Sequence, residues 1–268
     1  MIPIDRLAVM YDDGISLRKL SRFSDTPRET LRLRIKSLGV KMRKSRKDIG
    51  VSYHKPSHEL TEEFAEILAI HAGDGSLDKQ GRWCVSCFVE DTDLSKRIIK
   101  LTRDVIGIEP DVDYYKRSVI EIRSGQKQAF DFISEYFPIG KKSYIVELPE
   151  ILISSEKLHI IKSLLRGLMS TDGSFSFKKD GLTPRVEFRV MSIKLRDQFA
   201  YLAKKLGFQF CISSPKSRDG VIHTAYSEKI ATVLKWYKEI GFTCDSHSKK
   251  FDLWLKMKTL QGSHSLVN

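Results

Sequence analysis

The sequence predicts an α+β fold of two similar halves, preceded by a small module of three helices. An apolar helical run that ends on Asp-Gly occurs twice, 98 residues apart, and the same order of strands and helices follows each run. Internal repetition of an element order predicts pseudo-twofold symmetry. We therefore expect the first helices of the two halves to pack against each other at the axis.

The composition is typical of a soluble globular protein that can bury a core, with 268 residues, 41% of them hydrophobic and 30% charged. No apolar run approaches the ~18 residues that span a membrane, and the N-terminus lacks the pattern of a secretion signal. We expect a protein that is not secreted and that stays in the cytoplasm, or in the nucleoid or organelle that holds its gene. The formal net charge of +12 predicts a polyanionic partner.

The four cysteines predict neither a disulfide framework nor a zinc site. Cys84 and Cys87 form a lone C-x-x-C within a run that is typical of a strand. Because residues three apart on a strand point to opposite faces, these two thiols are badly placed to share a metal. We expect the thiols to be buried.

The first 58 residues hold 14 Lys and Arg against 6 Asp and Glu. Their pattern predicts short helices over 3–11 and Ser16–Phe23, and a third helix that ends before Gly39. Thr26 and Glu29 have the spacing of a capping box at the start of that third helix. Three short helices with a basic last one resemble a helix-turn-helix, whose last helix enters the major groove.

We assign residues 1–48 to this helix-turn-helix domain and residues 49–58 to a linker. A solvated basic face on a small helical cap is the alternative. The candidate DNA contacts of the module are Arg28, Arg32, Lys36, Arg43 and Lys44.

Two halves follow, over residues 59–150 and 151–268. After its first helix, the first half is predicted to have strands up to Glu90, a helix Asp93–Ile106, strands Asp111–Lys116 and Ser118–Arg123, and a helix Gln126–Tyr136. The second half repeats the order with strands Ser174–Lys178 and Arg185–Val190, a helix Lys194–Leu206, strands Phe208–Ser213 and Val221–Tyr226, and a helix Glu228–Ile240. Each half thus reads helix, two strands, helix, two strands, helix.

The repeated runs, Ile67–Gly75 and Leu165–Gly173, each carry small residues four apart, which lets two helix backbones approach closely. Asp74 and Asp172 would then lie at one end of the packed pair. A carboxylate at a helix C-terminus faces the negative end of the helix dipole, and a second carboxylate repels it further. The arrangement indicates a divalent cation between the two. The small residues are Ala69 and Gly73 in the first run and Gly167 and Thr171 in the second.

These residues resemble the LAGLIDADG family of homing endonucleases, in the single-chain form with two motifs, over roughly residues 59–250. The second motif keeps the family's glycine at Gly167 and its final Asp-Gly, with Ser170 in place of the first acidic residue. The first motif departs further, with Ala69 for the glycine and Ala72 for the first acidic residue.

The resemblance implies αββαββα halves whose sheets form a saddle over double-stranded DNA, and a monomer that makes a double-strand break with short 3′ overhangs. It implies Mg²⁺, or another divalent cation, as the cofactor. The implied metal ligands are Asp74 and Asp172, with the backbone carbonyls of Gly73 and Thr171. Lys127 and Lys229, each just before the last helix of its half, are the positional candidates for support of the attacking water.

Basic residues on the strands and their turns are the candidate DNA contacts of the two halves, because a two-stranded ribbon fits the major groove. They are Lys79, Arg82, Lys116, Arg117, Arg123, Lys178, Lys179, Arg185, Arg189, Lys216 and Arg218. A solvated sheet face is the alternative interpretation.

Two broader alternatives stay open. Each Asp-Gly, taken alone, is typical of a helix that closes into a turn on a glycine with positive φ. The whole protein is alternatively a non-catalytic nucleic-acid binder, either an RNA maturase with intron RNA as its partner or a transcription regulator.

Overall fold

The computed structural model describes residues 3–12, 15–42, 54–116, 118–178, 182–217 and 220–264. Its N-terminal unit has three helices with an apolar core of their own, which includes Leu7, Leu20, Leu31 and Ile35. These helices are α1 (Ile4–Asp12), α2 (Leu17–Ser24) and α3 (Arg28–Ser37). The three short helices expected from the sequence are therefore present.

The capping box expected at the third helix is wrong. Helix α3 has Pro27 at its N-cap, with no hydrogen bond from a capping side chain. The hydroxyl of Thr26 instead donates to the carbonyl of Ser24 at 3.1 Å, and Glu29 pairs with Arg32. Proline fixes φ near the helical value, so the chain enters the helix at Pro27 and the threonine is left to close the preceding turn.

The first half follows the predicted order closely. Its elements are α4 (Glu62–Asp74), β1 (Gly75–Leu77), β2 (Trp83–Phe88), α5 (Thr92–Leu101), β3 (Asp111–Lys116), β4 (Val119–Ser124) and α6 (Lys127–Ser134). A π turn over Thr102–Ile106 extends α5 to Gly107, whose φ of 74° ends the helix. The strands form an antiparallel sheet in the order β1-β2-β4-β3.

The second half repeats this plan. After a short helix α7 (Glu150–Ile153) come α8 (Leu158–Thr171), β5 (Gly173–Lys178), β6 (Thr183–Val190), α9 (Ile193–Lys205), β7 (Cys211–Ser213), β8 (Lys216–Ser217), β9 (Gly220–Val221), β10 (His223–Ser227) and α10 (Ile230–Glu239). The sheet order β5-β6-β10-β7 matches that of the first half, and β8 with β9 forms a separate hairpin. The α+β fold of two αββαββα halves is confirmed.

One long element was not expected from the sequence. Helix α11 (Asp245–His264) follows the second half and packs its aromatic residues under strand β5. Phe251 and Trp254 of α11 are almost fully buried against Phe175 of β5, with ring centroids 5.4 and 6.1 Å from it. The alternating apolar and charged residues of this segment give a weak helical period, so its burial depends on the pocket that the second half offers.

Each sheet buries one face against its helices. Along β6 the side chains alternate between buried and accessible, and β2 and β4 show the same period of two. One continuous core joins the two halves through α4 and α8. Among the described residues, no helix is both long enough and apolar enough to cross a membrane.

Candidate active site

Helices α4 and α8 cross at their small residues. A Cβ atom placed on Gly167 would lie 2.8 Å from the Cβ atom of Ala69 and 2.8 Å from the carbonyl oxygen of Glu66. A Cβ atom placed on Gly73 would overlap the side chain of Thr171. The helix pairing that the sequence predicted is therefore present, because larger residues at these positions would force the two backbones apart.

The crossing brings the two helix-end aspartates together. A Cβ atom on Gly73, the residue before Asp74, would lie only 2.8 Å from Oδ2 of Asp172. Each aspartate is followed at once by the first strand of its half, and Arg189 of β6 donates its backbone N–H to the carbonyl of Asp172 at 3.0 Å. Both carboxylates are thus held at the junction of the crossing helices and the two sheets.

The glycines of the two Asp-Gly pairs are required by space. Gly75 has extended backbone angles, with φ at −79° and ψ at 157°, and Gly173 likewise has no positive φ. A side chain on Gly75 would overlap the His71 ring, and one on Gly173 would overlap Met169. The alternative in which Asp-Gly merely closes a turn on a positive φ is therefore wrong, because each glycine starts a strand directly over its helix.

A lysine that sequence reasoning missed lies at the aspartates. Lys142 is 7% exposed, and its Nζ donates to the carbonyls of Ala72 and Gly73 at 2.5 and 2.7 Å. Its ammonium therefore caps the C-terminal end of α4, where the helix dipole favours a cation. One signal could have found it: an Ile-Gly pair follows the last helix of both halves, at Gly140 and Gly241, and Lys142 comes two residues after the first of these glycines.

The charges at this junction perturb one another. Burial raises the pKa of Asp74 to about 6 against the opposing effect of Lys142, although the Asp74 side chain still opens onto the surrounding cavities. Burial and the Asp74 charge raise the pKa of Asp172 to about 7. Burial lowers the pKa of Lys142 to about 8, against the pull of the two carboxylates. The positive charge of Lys142 therefore does not fully offset the cost of burying two neighbouring carboxylates.

The donor set fits a hard divalent cation. Two carboxylates and the adjacent helix-end carbonyls offer oxygen ligands, and Mg²⁺ keeps several waters, so it does not need a full cage of side chains. The described residues hold no cluster of three or more His, Cys, Asp or Glu side chains placed for a metal. The carbonyl of Gly73, an expected ligand, accepts the hydrogen bond from Lys142, so a cation would share this oxygen with the lysine.

The two lysines expected at the site lie elsewhere. Nζ of Lys127 pairs with Asp131 on its own helix at 2.5 Å, and its side chain is 85% exposed. Nζ of Lys229 donates to the Gln209 side chain at 3.0 Å on the surface of the second half. Neither lysine lines the cavities beside the aspartates in the described part of the chain. The lysines that precede the last helix of each half are therefore not beside the aspartates, whereas Lys142, which follows α6, is.

The basic residues of the second sheet lie on its open face. Arg185 and Arg189 alternate with buried residues along β6, and Arg185 stacks on the Tyr226 ring at 3.9 Å. Glu187 lies between the two arginines and pairs with Arg185 at 2.9 Å and with Arg189 at 3.9 Å. Arg185 also pairs with Glu228 at 3.1 Å. Lys178 at the end of β5 and Lys216 in the β8–β9 hairpin are exposed.

The basic residues of the first sheet are paired with carboxylates. Arg82 binds Asp78 in the β1–β2 turn at 2.7 Å, and Arg123 on β4 pairs with Asp113 on β3. Lys79 in the same turn is exposed. The arginines of both sheets are thus paired with carboxylates, and the contact of these basic residues with DNA stays a prediction.

The remaining candidates divide into two groups. Arg28 and Lys36 are exposed on α3, and Arg32 is half-buried beside its partner Glu29. The others fall outside the described residues or side chains, and these are Arg43, Lys44, Lys116, Arg117, Lys179 and Arg218.

No protein-family model and no curated protein matches the chain. Among solved structures, the N-terminal LAGLIDADG domain of DUF199/WhiA is 18% identical over 70% of this chain and 87% of that chain, with a TM-score of 0.46. I-DmoI in complex with DNA and Mn is 16% identical over 68% of this chain and 98% of that chain, with a TM-score of 0.49. Full-length DUF199/WhiA from Thermatoga maritima is 16% identical over 78% of this chain and 64% of that chain, with a TM-score of 0.48.

These likenesses concern the fold alone. Two halves of the same αββαββα order, joined at crossing helices that each lead into an aspartate, make up the LAGLIDADG fold. The resemblance read from the sequence is thus confirmed at the level of the fold.

Proposed function

We propose that this protein is a site-specific endonuclease that uses a divalent cation to cut both strands of double-stranded DNA, leaving short 3′ overhangs. The observation that carries the proposal is the meeting of Asp74 and Asp172 at the crossing of α4 and α8. A purely structural crossing would gain nothing from two carboxylates whose pKa values are both raised by burial, that of Asp172 being raised further by the charge of Asp74. Such a cost is expected at a site that binds a cation and phosphate.

The chain's own groups suit phosphodiester hydrolysis. Asp74 and Asp172 would hold Mg²⁺, with the carbonyls of Gly73 and Thr171 as further oxygen ligands. When bound, Mg²⁺ would polarise the phosphate and lower the pKa of water. Lys142 places positive charge beside the carboxylates, where it would stabilise the negative charge that builds up on the phosphate.

Hydrolysis needs no further reactant. Water adds to phosphorus, the bond from phosphorus to the 3′ oxygen breaks, and the products are a 5′-phosphate and a 3′-hydroxyl. The proton that water loses passes to solvent or to a basic group at the site, and the leaving oxygen takes up one proton. Two halves in one chain allow a monomer to address one scissile phosphate in each strand.

The DNA partner follows from charge and surface. The net charge of +12 favours a polyanion, and the open face of the second sheet presents Arg185 and Arg189 on a strand. The N-terminal unit has the helices of a helix-turn-helix, and α3 exposes Arg28 and Lys36. We assign residues 1–48 to this DNA-binding domain, 49–58 to a linker, and 59–150 and 151–268 to the two halves.

The test uses two DNA substrates. One is a duplex that joins the two sequences flanking the protein's own gene, and the other is a randomised duplex library from which cut molecules are recovered to identify the target site. With Mg²⁺, the wild type is expected to linearise plasmids that carry the selected site. Asp74→Asn and Asp172→Asn keep the side-chain volume and remove one ligand charge, so each should abolish the double-strand break while DNA binding in Ca²⁺ stays within about threefold.

Wild-type cutting rates in either variant would contradict the metal-site assignment. Specific binding by the wild type without any cut, in Mg²⁺ or Mn²⁺, would instead support the non-catalytic alternative. Selective binding of intron RNA over the duplex would favour a maturase within that alternative.

A further inference from the structure

The open face of the first sheet carries one large apolar side chain at its end, that of Phe88. The side chains of β2 alternate between the core and the open face, and Phe88 ends the open-face set with 63% of its surface exposed. Its antiparallel neighbour on β4 is Val119, which is half-buried. Farther along the same face lie charged side chains, among them Glu121 and Arg123. Phe88 and Val119 therefore form an apolar end to a face that is otherwise rich in charge.

Strand β2 carries Phe88 to the end of the sheet that lies nearest the aspartates. β1 begins at Gly75, directly after Asp74, and Gly75 lies opposite Val85 on β2. From Val85, β2 continues to Phe88, which is about 10 Å at the usual rise of a strand. Phe88 thus projects beyond the start of β1, and it lines a cavity together with Asp74.

The second half also has an apolar residue at the equivalent position. Gly173, which follows Asp172, lies opposite Phe188 on β6. Met191 stands as far beyond Phe188 as Phe88 stands beyond Val85, and its side chain is half-buried. An apolar side chain therefore lies near each aspartate, and the one in the first half is an exposed aromatic ring.

The place of Phe88 relative to DNA follows from the two sheets. Each sheet starts directly after its aspartate, so the sheets lie on either side of the helix crossing. With an open face in each of two successive major grooves, the minor groove between them faces the crossing, because the two grooves alternate along one side of a duplex. Phe88, at the inner end of its sheet, then faces that minor groove.

An aromatic ring at this place suits contact with bases. Single exposed apolar side chains are common at protein surfaces, but this ring stands beside the residues that would hold a scissile phosphate. A phosphate offers no apolar surface, whereas every base has a flat face on which an aromatic ring can stack. Proteins that bind the minor groove insert Phe, Leu, Ile or Met side chains between base pairs, which unstacks one step and bends the duplex.

We infer that Phe88 is a wedge, a side chain that inserts from the minor groove between two stacked base pairs located between the two cut positions. This inference rests on the proposed function for the place of the DNA. Insertion costs least where the bases unstack most easily, so the wedge selects a base step without a hydrogen bond to a base edge. Pyrimidine–purine steps unstack most easily, and we expect the wedge to enter at a TA or CA/TG step.

The first measurement follows the stacking of the bases. A duplex selected by binding in Ca²⁺ carries 2-aminopurine, whose fluorescence rises when it unstacks, at each central position in turn. The wild type should raise the fluorescence at one step, and Phe88→Ala should lose most of that increase. Phe88→Leu should retain part of it, because leucine also serves as an apolar wedge.

The second measurement couples Phe88 to the strength of the same step. A mismatched base pair there lowers the cost of unstacking, so the wild type should bind the mismatched duplex about tenfold more tightly than the matched one. Phe88→Ala inserts nothing, so its affinities for the two duplexes should agree within about twofold.

Tyr201→Ala is the matched control, because the Tyr201 ring is 50% exposed on α9. Phe199 of the same helix stacks on Phe188 of β6 with ring centroids 4.4 Å apart, so α9 lies on the core side of the second sheet, away from the open face. Tyr201→Ala should leave the fluorescence increase and the mismatch preference unchanged. Phe88 and Tyr201 are both exposed, so each variant should fold as the wild type does, and circular dichroism checks this.

A wild type that binds without unstacking any central step would overturn the wedge while leaving the endonuclease function intact. So would a Phe88→Ala variant that keeps the increase and the mismatch preference, or one that loses affinity equally for both duplexes. Neither measurement depends on cutting. A wild type that unstacks the step but cuts neither strand in Mg²⁺ or Mn²⁺ would therefore overturn the proposed function and leave the wedge in place, and one that selects no duplex would overturn both.

Discussion

The two halves share one architecture but carry opposite charge on their open sheet faces. On the first sheet, the accessible side chains opposite the core include Asp111, Asp113 and Glu121 with a single arginine, Arg123. On the second sheet, the corresponding face carries Lys178, Arg185 and Arg189 with a single carboxylate, Glu187. These sets cover the described side chains of the strands.

The difference shows which part of the repeat is constrained. The buried faces must fill the same core, so they keep the same alternation of apolar residues in both halves. The open faces do not pack against a core, and their charges differ. We expect the second half to supply most of the phosphate contacts made by the sheets, and the first half to contribute hydrogen-bond acceptors, which suit the amino groups of cytosine and adenine.

The N-terminal unit lies against the acidic first sheet. Nζ of Lys19 on α2 pairs with Asp113 at 2.9 Å and donates to the carbonyl of Tyr114 at 2.6 Å. The basic unit therefore adds positive charge on the side of the molecule whose sheet lacks it. Any contact that it makes with DNA would extend the protected region on the side of the first half.

The largest expected effect comes from the ion pairs that join the halves. Glu66 of α4 is 1% exposed and binds Arg97 of the first half at 2.6 Å and Arg166 of the second at 3.1 Å. Glu66→Ala leaves two guanidinium groups without their partner, so we expect a loss of about 3 kcal/mol in the free energy of unfolding. Urea denaturation of the wild type and of Glu66→Ala measures this loss.

Lys127→Ala is the control for this variant, because its pair with Asp131 is exposed and should contribute less than about 0.5 kcal/mol. A Glu66→Ala protein as stable as the wild type would mean that apolar packing alone joins the halves.

The next effect concerns the aspartates that the halves share. Because their pKa values are raised to about 6 and about 7, the folded state favours their protonated forms, and their contribution to stability falls as pH rises through those values. A divalent cation should oppose this loss. We expect Mg²⁺ to stabilise the protein by about 2 kcal/mol near pH 8 and by much less near pH 5, measured by thermal unfolding.

Asp172→Asn should flatten this pH dependence and remove most of the gain from Mg²⁺. The same gain at both pH values, or in the variant, would place the cation elsewhere in the protein.

The contrast between the sheet faces predicts unequal effects on DNA binding. The double variant Arg185→Gln and Arg189→Gln should weaken binding about 10- to 100-fold and lower the salt dependence by about two phosphate contacts. Arg123→Gln should weaken it less than about threefold, because Asp111, Asp113 and Glu121 share the face with Arg123 and leave that face with a net negative charge. Binding isotherms at several salt concentrations measure both effects. Equal losses of affinity in the double variant and in Arg123→Gln would show that the charge difference between the sheets does not govern binding.

The smallest effect concerns the N-terminal unit. Lys19→Ala removes a half-buried ion pair and should cost less than about 1 kcal/mol. The unit should then protect the DNA flank on the side of the first half less well in a footprint, while the cut positions stay the same. A footprint that shortens on the other side would mean that the unit reaches across the duplex.

The sequence by itself determined the repeat and its pattern of elements. Apolar periodicity and the two Asp-Gly ends were enough to predict both halves, the helix crossing and the meeting of Asp74 and Asp172. These features depend on short stretches of chain, whose local spacing fixes which face is buried. The DNA contacts proposed on the strands and on the N-terminal unit stay predictions.

Only the tertiary structure decided the surroundings of the aspartates. Lys142 comes 68 residues after Asp74 and lies in no motif, so its place depends on how the loop after α6 returns to the end of α4. The pairing of Arg123 with Asp113 likewise depends on strand register, which places two distant residues side by side. Contacts of this kind are set by the packing of whole elements, and the sequence pattern of a single element does not contain them.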